Sequence, residues 1–291
     1  RTLVRDTAYD YYGQRAAQRL ADSGESPRPG REAPFPRLSP LEEWRNSHPS
    51  AAADRAVALS RVGLYAFAAE ELETAPGAQR DKSAQFALAA LYAEAGEVRL
   101  SDAILEREFA EFVRSGSTDP ALVPPAFWKV RFAFPFRALV ERSVRALPAT
   151  EASVETALVV ALMRSESGFA PRAVSPAGAI GLMQVMPDAA TGLAKKRGTS
   201  PPSREDLFDP ATNILYGTCE IADRLADFGG ERVPAICSYN AGIEPVRRWW
   251  SARPEGQALD EFIETIPYLE TRLYVKQVLA DYDNYLRVYG R

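Results

Sequence analysis

The chain has 291 residues, 46% of them apolar, and a formal net charge of −4. This length is enough for roughly two domains. The charge is −1 over residues 1–137 and −3 over residues 138–291, so neither half is basic enough to neutralise phosphates and we expect no nucleic-acid partner. The single histidine, His48, and the two cysteines, Cys219 and Cys237, give little support for a catalytic triad or a zinc site. Any enzymatic chemistry would fall to carboxylates and hydroxyls.

The chain begins at Arg1 and opens on no apolar signal segment. We therefore interpret it as a mature or truncated product from which any export signal has been removed. Its longest apolar run is far shorter than the ~20 residues that a membrane-spanning helix needs.

The front of the chain is predicted to be helical and interrupted. Residues 2–20 have a helical composition, whereas the proline-rich stretch 27–40 predicts an extended connector. Three helices are then predicted between residues 51 and 114, the first stopped by Pro76 and the second by Gly96. The first of these is predicted from the spacing of Leu59, Val62, Leu64, Phe67 and Leu72. The pattern favours stacked antiparallel helix pairs, as in an α-solenoid, or a plain helical packing domain.

An aromatic cluster between Phe127 and Phe136 marks a joint, after which helical periodicity continues almost to the end. The predicted helices of this second part are 139–147, 154–167, 213–228, 233–240 and 268–289. Alternating strand patterns extend over only a few residues. The sequence therefore predicts a mainly α fold, with an α-superhelical helix-pair domain over 1–137 and a second domain over 138–291.

The most informative residue of the second domain is Glu166. It lies in the last turn of an apolar predicted helix, which Gly168 suits as a left-handed terminus and Pro171 cannot continue. Both the helix dipole and the apolar neighbours oppose ionisation, so its pKa should be raised, as a general acid near neutral pH requires. The alternative is an exposed glutamate at a frayed helix end.

A glycine-rich loop follows, in which Gly178 and Gly181 allow the backbone to approach another group closely. Met183 and Met186 would most often belong to a core, whereas the amide of Gln184 between them needs polar partners. One further cluster surrounds Asn240, and another extends from Glu264 to Val275. Taken alone, Asn240 is typical of a helix cap, and the second cluster is typical of capping threonines with a surface ion-pair set.

Taken together and in order, these segments resemble the catalytic domain of the soluble lytic transglycosylases, goose-lysozyme-like enzymes that cleave peptidoglycan. The segments that carry the resemblance are Glu166-Ser-Gly-Phe169, Ser175 to Pro187, Asn213-Ile-Leu-Tyr-Gly217, Tyr239-Asn-Ala-Gly242 and Glu264 to Val275. The resemblance implies a lysozyme-like fold for residues 138–291. The front half is similar, less specifically, to the α-superhelical region that precedes this domain in the large soluble members.

The resemblance implies one catalytic glutamate, Glu166, which protonates the glycosidic oxygen between N-acetylmuramic acid and N-acetylglucosamine. Its carboxylate then takes the proton of the muramic C6 hydroxyl, which closes a 1,6-anhydro ring. It further implies that no metal or organic cofactor is needed. The substrate-binding residues that it implies are Ser175, Met183, Gln184, Met186, Tyr239, Asn240, Glu264 and Tyr268.

The resemblance also places the chain in the periplasm or bacterial cell envelope, acting as a monomer on peptidoglycan glycan strands, with other cell-wall enzymes as possible partners of the helical front half. Cys219 and Cys237 lie in consecutive predicted helices on either side of Phe228-Gly-Gly230. An oxidising compartment would allow a disulfide between them, and two buried thiols are the alternative. Competing interpretations of the function are a hydrolytic muramidase and a non-catalytic peptidoglycan-binding or scaffold protein.

Overall fold

The computed structural model describes residues 10–25, 34–115, 123–148 and 154–290. For residues 114 and 115 the description covers the backbone alone. These ranges are helices joined by turns, and extended pairing is limited to the bridges of Ile180 with Val174 and Val185. The mainly α prediction is therefore confirmed. The chain divides into two compact units, Arg1–Pro135 and Phe136–Arg291.

The first unit consists of short helices. They are α1 (Tyr11–Asp22), α2 (Leu41–Ser47), α3 (Ala51–Arg61), α4 (Tyr65–Thr74), α5 (Lys82–Glu94), α6 (Val98–Glu108), α7 (Ala110–Ser115) and α8 (Pro125–Arg131). Three of them start at side-chain caps: Asp10, Ser50 and Asp81 each accept a hydrogen bond from a backbone N–H of the first turn. Sequence neighbours pack on one another, α3 on α4 and α5 on α6.

Aromatic side chains form the core where α5, α6 and α8 meet. Phe127 is fully buried, and its ring contacts those of Phe35, Phe86 and Phe109. Such ring pairs contribute about 0.5–1.5 kcal/mol each beyond the area they bury. Phe35 lies in the non-helical segment 34–40, the described part of the predicted connector. Residues 27–33 of that connector and 2–9 of the first predicted helix lie outside the described residues.

One predicted helix of the first unit is wrong. The apolar residues from Leu59 to Leu72 belong to two helices, α3 and α4, and the chain turns between them at Gly63. The φ of Gly63 is 77°, a left-handed conformation that glycine adopts at low cost. Periodicity alone missed the break, since Val62 and Leu64 continue the apolar spacing although both are exposed.

The second unit contains longer helices and a 3₁₀ turn. The helices are α9 (Arg137–Arg145), α10 (Thr156–Ser167), α11 (Pro187–Lys196), α12 (Pro210–Asp227), α13 (Arg232–Ala241), α14 (Ile243–Ser251), α15 (Leu259–Thr265) and α16 (Leu269–Tyr289), and the turn is Asp206–Phe208. The helix α10 is the centre of this unit: every residue from Ala157 to Met163 is buried. It packs along α16 and also contacts α9 and α12.

Polar contacts fix the start of α10 against the helices around it. Glu155, at its N-cap, pairs with Arg232 at 2.9 Å and accepts a hydrogen bond from the Tyr282 hydroxyl at 2.7 Å. Arg232 lies over the Tyr282 ring, 4.1 Å from its centroid. The start of α10 is thereby joined to α13 and α16.

The two cysteines are buried thiols, Cys219 on α12 and Cys237 on α13. The structure corrects the disulfide hypothesis in favour of its alternative. The physical reason is the apolar surroundings, in which burial raises the pKa of the Cys237 thiol to about 12 and so disfavours the reactive thiolate.

No helix within the described ranges combines the length and hydropathy required to cross a bilayer.

Candidate active site

Glu166 lies in the last turn of α10, where the sequence placed it. The helix ends at Gly168, whose φ of 59° is left-handed, as predicted for this position. Phe169 follows with a φ of 67°, uncommon for a bulky residue, and its ring is buried. A well-packed terminus therefore holds Glu166, and the alternative of a frayed helix end is wrong.

The carboxylate of Glu166 contacts α16. The Tyr274 hydroxyl donates a short hydrogen bond of 2.5 Å to its Oε1. Burial raises the pKa of Glu166 to about 7, and the negative charges of Glu220 and Glu270 act in the same direction, while the Tyr274 hydrogen bond opposes them. The expected direction of the pKa shift and its main cause, burial, are confirmed. A carboxyl group with this pKa carries a proton for about half of the time at neutral pH.

A second tyrosine, Tyr239 on α13, lies within electrostatic reach of the same carboxyl group. Its hydroxyl donates a hydrogen bond to the backbone oxygen of Met183 at 2.9 Å. Burial, followed by the charges of Glu220 and Glu166, raises the pKa of Tyr239 well above its usual range. Tyr239 therefore stays a neutral donor, and it joins α13 to the loop over residues 173–186.

Asn213, at the start of α12, holds that loop through hydrogen bonds to its backbone. Its Oδ1 accepts from the backbone N–H of Met183, and its Nδ2 donates to the carbonyl oxygens of Ile180 and Leu207, all within 2.8 Å. Gly181 passes so close to the Asn213 side chain that a Cβ there would overlap it. The close approach predicted for this glycine is therefore present, and its partner is the protein's own asparagine.

The side chain of Met183 corrects one predicted contact. It is fully buried and packs against Gly217 of α12, where an added Cβ would lie 2.6 Å from the Met183 Cβ. The thioether is therefore a core group and has no surface to offer a sugar. Met183 serves the site through its backbone, by accepting from Tyr239 and donating to Asn213.

Three other predicted residues of this loop are only partly covered. The Gln184 side-chain nitrogen donates to the carbonyl of Gly181 at 2.8 Å, and Gln184 has a left-handed φ of 49°. Such strain in a residue other than glycine is typical of functional sites. The Ser175 hydroxyl accepts from the Ala179 N–H at 3.0 Å and closes the turn, while the Met186 side chain is 38% exposed.

The remaining predicted residues have partners on α14 and α16. Asn240 accepts from the Thr271 hydroxyl at 2.6 Å, so its side chain joins α13 to α16 and its interpretation as a cap is wrong. Glu264 pairs with the buried Lys276 at 2.8 Å. Tyr268 is half exposed and packs edge-on against Trp249. The described contacts bring Glu166, Tyr239 and the loop together and tie Glu264 to Lys276.

Sequence reasoning missed three residues of this region: Tyr274, Glu220 and Asn213. Tyr274 and Asn213 lie inside the quoted segments, and a buried hydroxyl or amide, which needs partners, was the available signal. Glu220 gave none, because a glutamate on a long helix usually faces solvent. Among the described residues no group of three or more histidine, cysteine, aspartate or glutamate side chains is arranged to hold a metal ion.

Comparison with known families assigns this region. The sequence model of the transglycosylase SLT domain matches residues 146–261, which span Glu166, the loop and Tyr239. Residues 146–261 are therefore similar to a transglycosylase SLT domain. Tyr268 and Tyr274 lie beyond the matched range but within the same compact unit.

Curated relatives match a little under half of the chain. The soluble lytic murein transglycosylase of Escherichia coli is 42% identical over 133 residues, which are 45% of this chain and 20% of that protein. The enzyme of the same name from Salmonella typhimurium is 39% identical over 140 residues, 46% of this chain and 21% of that protein. The matched region thus spans about a fifth of the length of these relatives.

Solved structures match nearly the whole chain. The 70-kDa soluble lytic transglycosylase Slt70 of Escherichia coli is similar with a TM-score of 0.68 and 27% identity, over 98% of this chain and 41% of that one. A 70-kDa soluble lytic transglycosylase in complex with bulgecin A gives a TM-score of 0.69 and 27% identity over 100% and 42%. A third match, with a TM-score of 0.65 and 27% identity over 98% and 42%, is an inactive glutamate-to-glutamine variant of Slt from Pseudomonas aeruginosa.

Proposed function

We propose that this chain is a peptidoglycan lytic transglycosylase that cleaves the β-1,4 bond between N-acetylmuramic acid and N-acetylglucosamine without adding water, with Glu166 as its catalytic acid and base. The observation that carries the proposal is the state of Glu166. Burial raises its pKa to about 7 beside a neutral tyrosine, so near neutral pH it has substantial populations of both the acid and the carboxylate.

The reaction needs a single carboxyl group in two roles. The protonated Glu166 gives its proton to the glycosidic oxygen as the bond from that oxygen to C1 of the muramic residue breaks. The resulting carboxylate accepts the proton of the C6 hydroxyl as that oxygen bonds to C1 and closes the 1,6-anhydro ring. Because the nucleophile belongs to the same sugar, its effective concentration is high and no second carboxylate is required to activate water.

The residues around Glu166 have supporting roles in this proposal. Tyr274 holds the carboxyl group and stabilises its ionised form by hydrogen bonding. The partly covered side chains of Ser175, Gln184 and Met186 line the sugar subsites from the loop, and the exposed ring of Tyr268 offers an apolar face for a sugar. Tyr239 and Asn240 stabilise the cationic intermediate, and Glu264 acts as a supporting polar group.

The relatives' names support a murein substrate and an envelope location. We extend both to this chain, together with a periplasmic site of action, a monomeric state and a reaction that uses no metal or organic cofactor. We also propose that the helical first unit contacts other cell-wall enzymes.

The test is mass analysis of products released from purified peptidoglycan. A transglycosylase gives fragments that each lack a reducing end and are lighter by one water than the corresponding hydrolysis product. Reducing ends would favour a muramidase and overturn the proposal. Binding to glycan without any release would instead favour a non-catalytic wall-binding protein. Glu166→Gln is the control and should bind glycan strands while its release of fragments falls by about 100-fold or more.

A further inference from the structure

Four residues of α12 form one stripe along its face toward the site. Asn213, Gly217, Glu220 and Arg224 are spaced by four, three and four residues, which places them on the same side of a helix. Asn213 and Gly217 both contact the loop over residues 173–186 at Met183. Glu220 therefore follows, one turn later, on the face that supports the active-site loop.

Arg224 holds Glu220 in this position. The two side chains form an i,i+4 ion pair, with Arg224 Nη2 3.1 Å from Glu220 Oε1. The Glu220 side chain is only 14% exposed, so the pair is shielded from solvent and its charges act over a longer range than those of a surface pair. Burial raises the pKa of Glu220, whereas Arg224 opposes that change and favours the carboxylate.

The charge of Glu220 reaches three groups of the proposed site. It acts on Glu166 of α10, on Tyr239 of α13 and on Tyr274 of α16, and in each case it disfavours the ionised form. Glu220 contacts none of these groups in the described hydrogen bonds, so its effect on them is electrostatic. The proposed reaction does not use this carboxylate.

We propose that Glu220 is a positioning residue for the catalytic acid: anchored by Arg224 behind the loop, its carboxylate keeps the proton on Glu166 until a glycosidic oxygen takes it. This inference rests on the acid role proposed for Glu166. It assigns to the Glu220–Arg224 pair a specific effect on the working pH range of the enzyme.

Other charged and titratable groups also face Glu166, and the experiment must separate them. From α16 these are Tyr274, which donates to the carboxylate, and Glu270, whose charge raises the pKa of Glu166. From α13 it is Tyr239, and from α12 it is Glu220, whose partner Arg224 acts on Tyr239. On α9, Arg142 acts on Asp209 at the start of α12. Arg164 on α10 itself pairs with Asp281.

The test compares the pH dependence of kcat/KM for the wild type and for Glu220→Gln. Glutamine keeps the shape of the side chain and still accepts from Arg224, but it removes the charge. The pKa of Glu166 should fall, so the alkaline limb of the profile moves to lower pH. The rate should be nearly unchanged at pH 5 and reduced several-fold at pH 8, because less of the acid form remains there.

Two further variants separate charge from structure. Glu220→Asp retains the charge at the cost of the hydrogen-bond geometry and should keep the alkaline limb near its wild-type position. Asp227→Asn removes one negative charge from the same helix, where Asp227 pairs with Arg247 of α14, and should leave the profile unchanged. Glu220→Ala is a second neutral variant and should show the same displacement as Glu220→Gln.

A direct titration of the Glu166 carboxyl by carbon-13 NMR, assigned by its absence in Glu166→Gln, gives a readout that is independent of turnover. A lower titration midpoint in Glu220→Gln supports the inference. If the wild type is active, and Glu220→Gln changes neither the alkaline limb of kcat/KM nor the titration midpoint of Glu166, the inference is overturned. A wild type that releases no anhydro products overturns the proposed function instead, and the titration still decides the effect of Glu220 on Glu166.

Discussion

The two units of the chain differ in how far along the sequence their polar side chains reach. In the first unit, Tyr92 donates to Glu73, 19 residues away, and Gln85 donates to the carbonyl of Ala78, 7 residues away. In the second unit, Tyr274 reaches Glu166 across 108 residues and Tyr239 reaches Met183 across 56. The aromatic core of the first unit also joins distant segments, such as Phe35 and Phe127, but these polar contacts stay within one region of the chain. The second unit brings polar groups from distant segments to one carboxyl group.

This difference bears on where chemistry can occur. A helix pair that contacts mainly its sequence neighbours places most of its charges on the surface, where water screens them. Long-range packing in the second unit instead buries Glu166 between α10 and α16, where removal from water changes its proton affinity. The contact of Tyr274 with Glu166 therefore lies where a carboxyl group can keep a proton near neutral pH.

The largest expected effect tests that contrast with a matched pair of substitutions. Glu166→Gln and Glu73→Gln each replace a carboxylate that accepts from a tyrosine hydroxyl. Glu166→Gln should lower kcat by about 100-fold or more, because glutamine has no proton to give to the leaving oxygen. Glu73→Gln should leave kcat unchanged. Release of soluble fragments from peptidoglycan measures both, and equal rates for all three proteins would contradict the assignment.

The second prediction concerns stability. Asn213→Ala removes three hydrogen bonds and leaves buried backbone groups of Met183, Ile180 and Leu207 without that partner. We expect the second unit to lose about 2–4 kcal/mol of its free energy of unfolding.

The matched change in the first unit is Gln85→Ala, which removes one bond to a backbone carbonyl and one from Arg107. It should cost about 1 kcal/mol. Urea unfolding followed by tryptophan fluorescence measures both, since Trp44 and Trp128 lie in the first unit and Trp249 and Trp250 in the second. An Asn213→Ala protein as stable as the wild type would show that the loop has other support.

The same distinction explains how much the sequence could predict. Helix ends such as Gly168 and the burial of Glu166 were accessible because they depend on a few adjacent residues. The break at Gly63 was hidden by apolar residues that continued the helical spacing on an exposed surface. Met183 was assigned to the sugar site by resemblance, and its packing against Gly217 became visible only in three dimensions.

Contacts between residues far apart in the sequence were the second limit on what the sequence could predict. The amide of Asn240 was open to a cap or a site role because its partner, Thr271, lies 31 residues away on another helix. Glu220 gave no signal at all, since its burial depends on how α12 packs against α13 and α10. Local patterns therefore predicted the elements and the acid, whereas the groups that tune the acid required the tertiary structure.

The third prediction compares two helix glycines of the second unit. Gly217→Ala adds a Cβ that would lie 2.6 Å from the Met183 Cβ, and we expect a loss of about 1–3 kcal/mol through overpacking. Gly192→Ala is the control: its Cβ meets nothing within 4 Å on the exposed side of α11. The higher helix propensity of alanine should stabilise the protein there by about 0.5–1 kcal/mol. Thermal unfolding measures both, and equal changes of the same sign would refute the close contact.

The smallest expected effect is a displacement of the pH profile by Tyr274→Phe. The hydroxyl of Tyr274 donates to the Glu166 carboxylate and thereby lowers the pKa of Glu166. Removing it should raise that pKa, so the alkaline limb of kcat/KM moves to higher pH, opposite to the displacement expected for Glu220→Gln. Tyr92→Phe removes the equivalent hydroxyl of the first unit and should leave the limb in place.

Opposite displacements in Tyr274→Phe and Glu220→Gln would mean that a hydrogen bond and a charge, supplied by different helices, set the pKa of Glu166 from opposing directions. A displacement of both variants toward lower pH would instead indicate that Tyr274 acts mainly by keeping water away from Glu166, since admitted water favours the carboxylate. The hydrogen bond between α10 and α16 would then matter for packing more than for the proton, and the contrast between the two units would rest on burial alone.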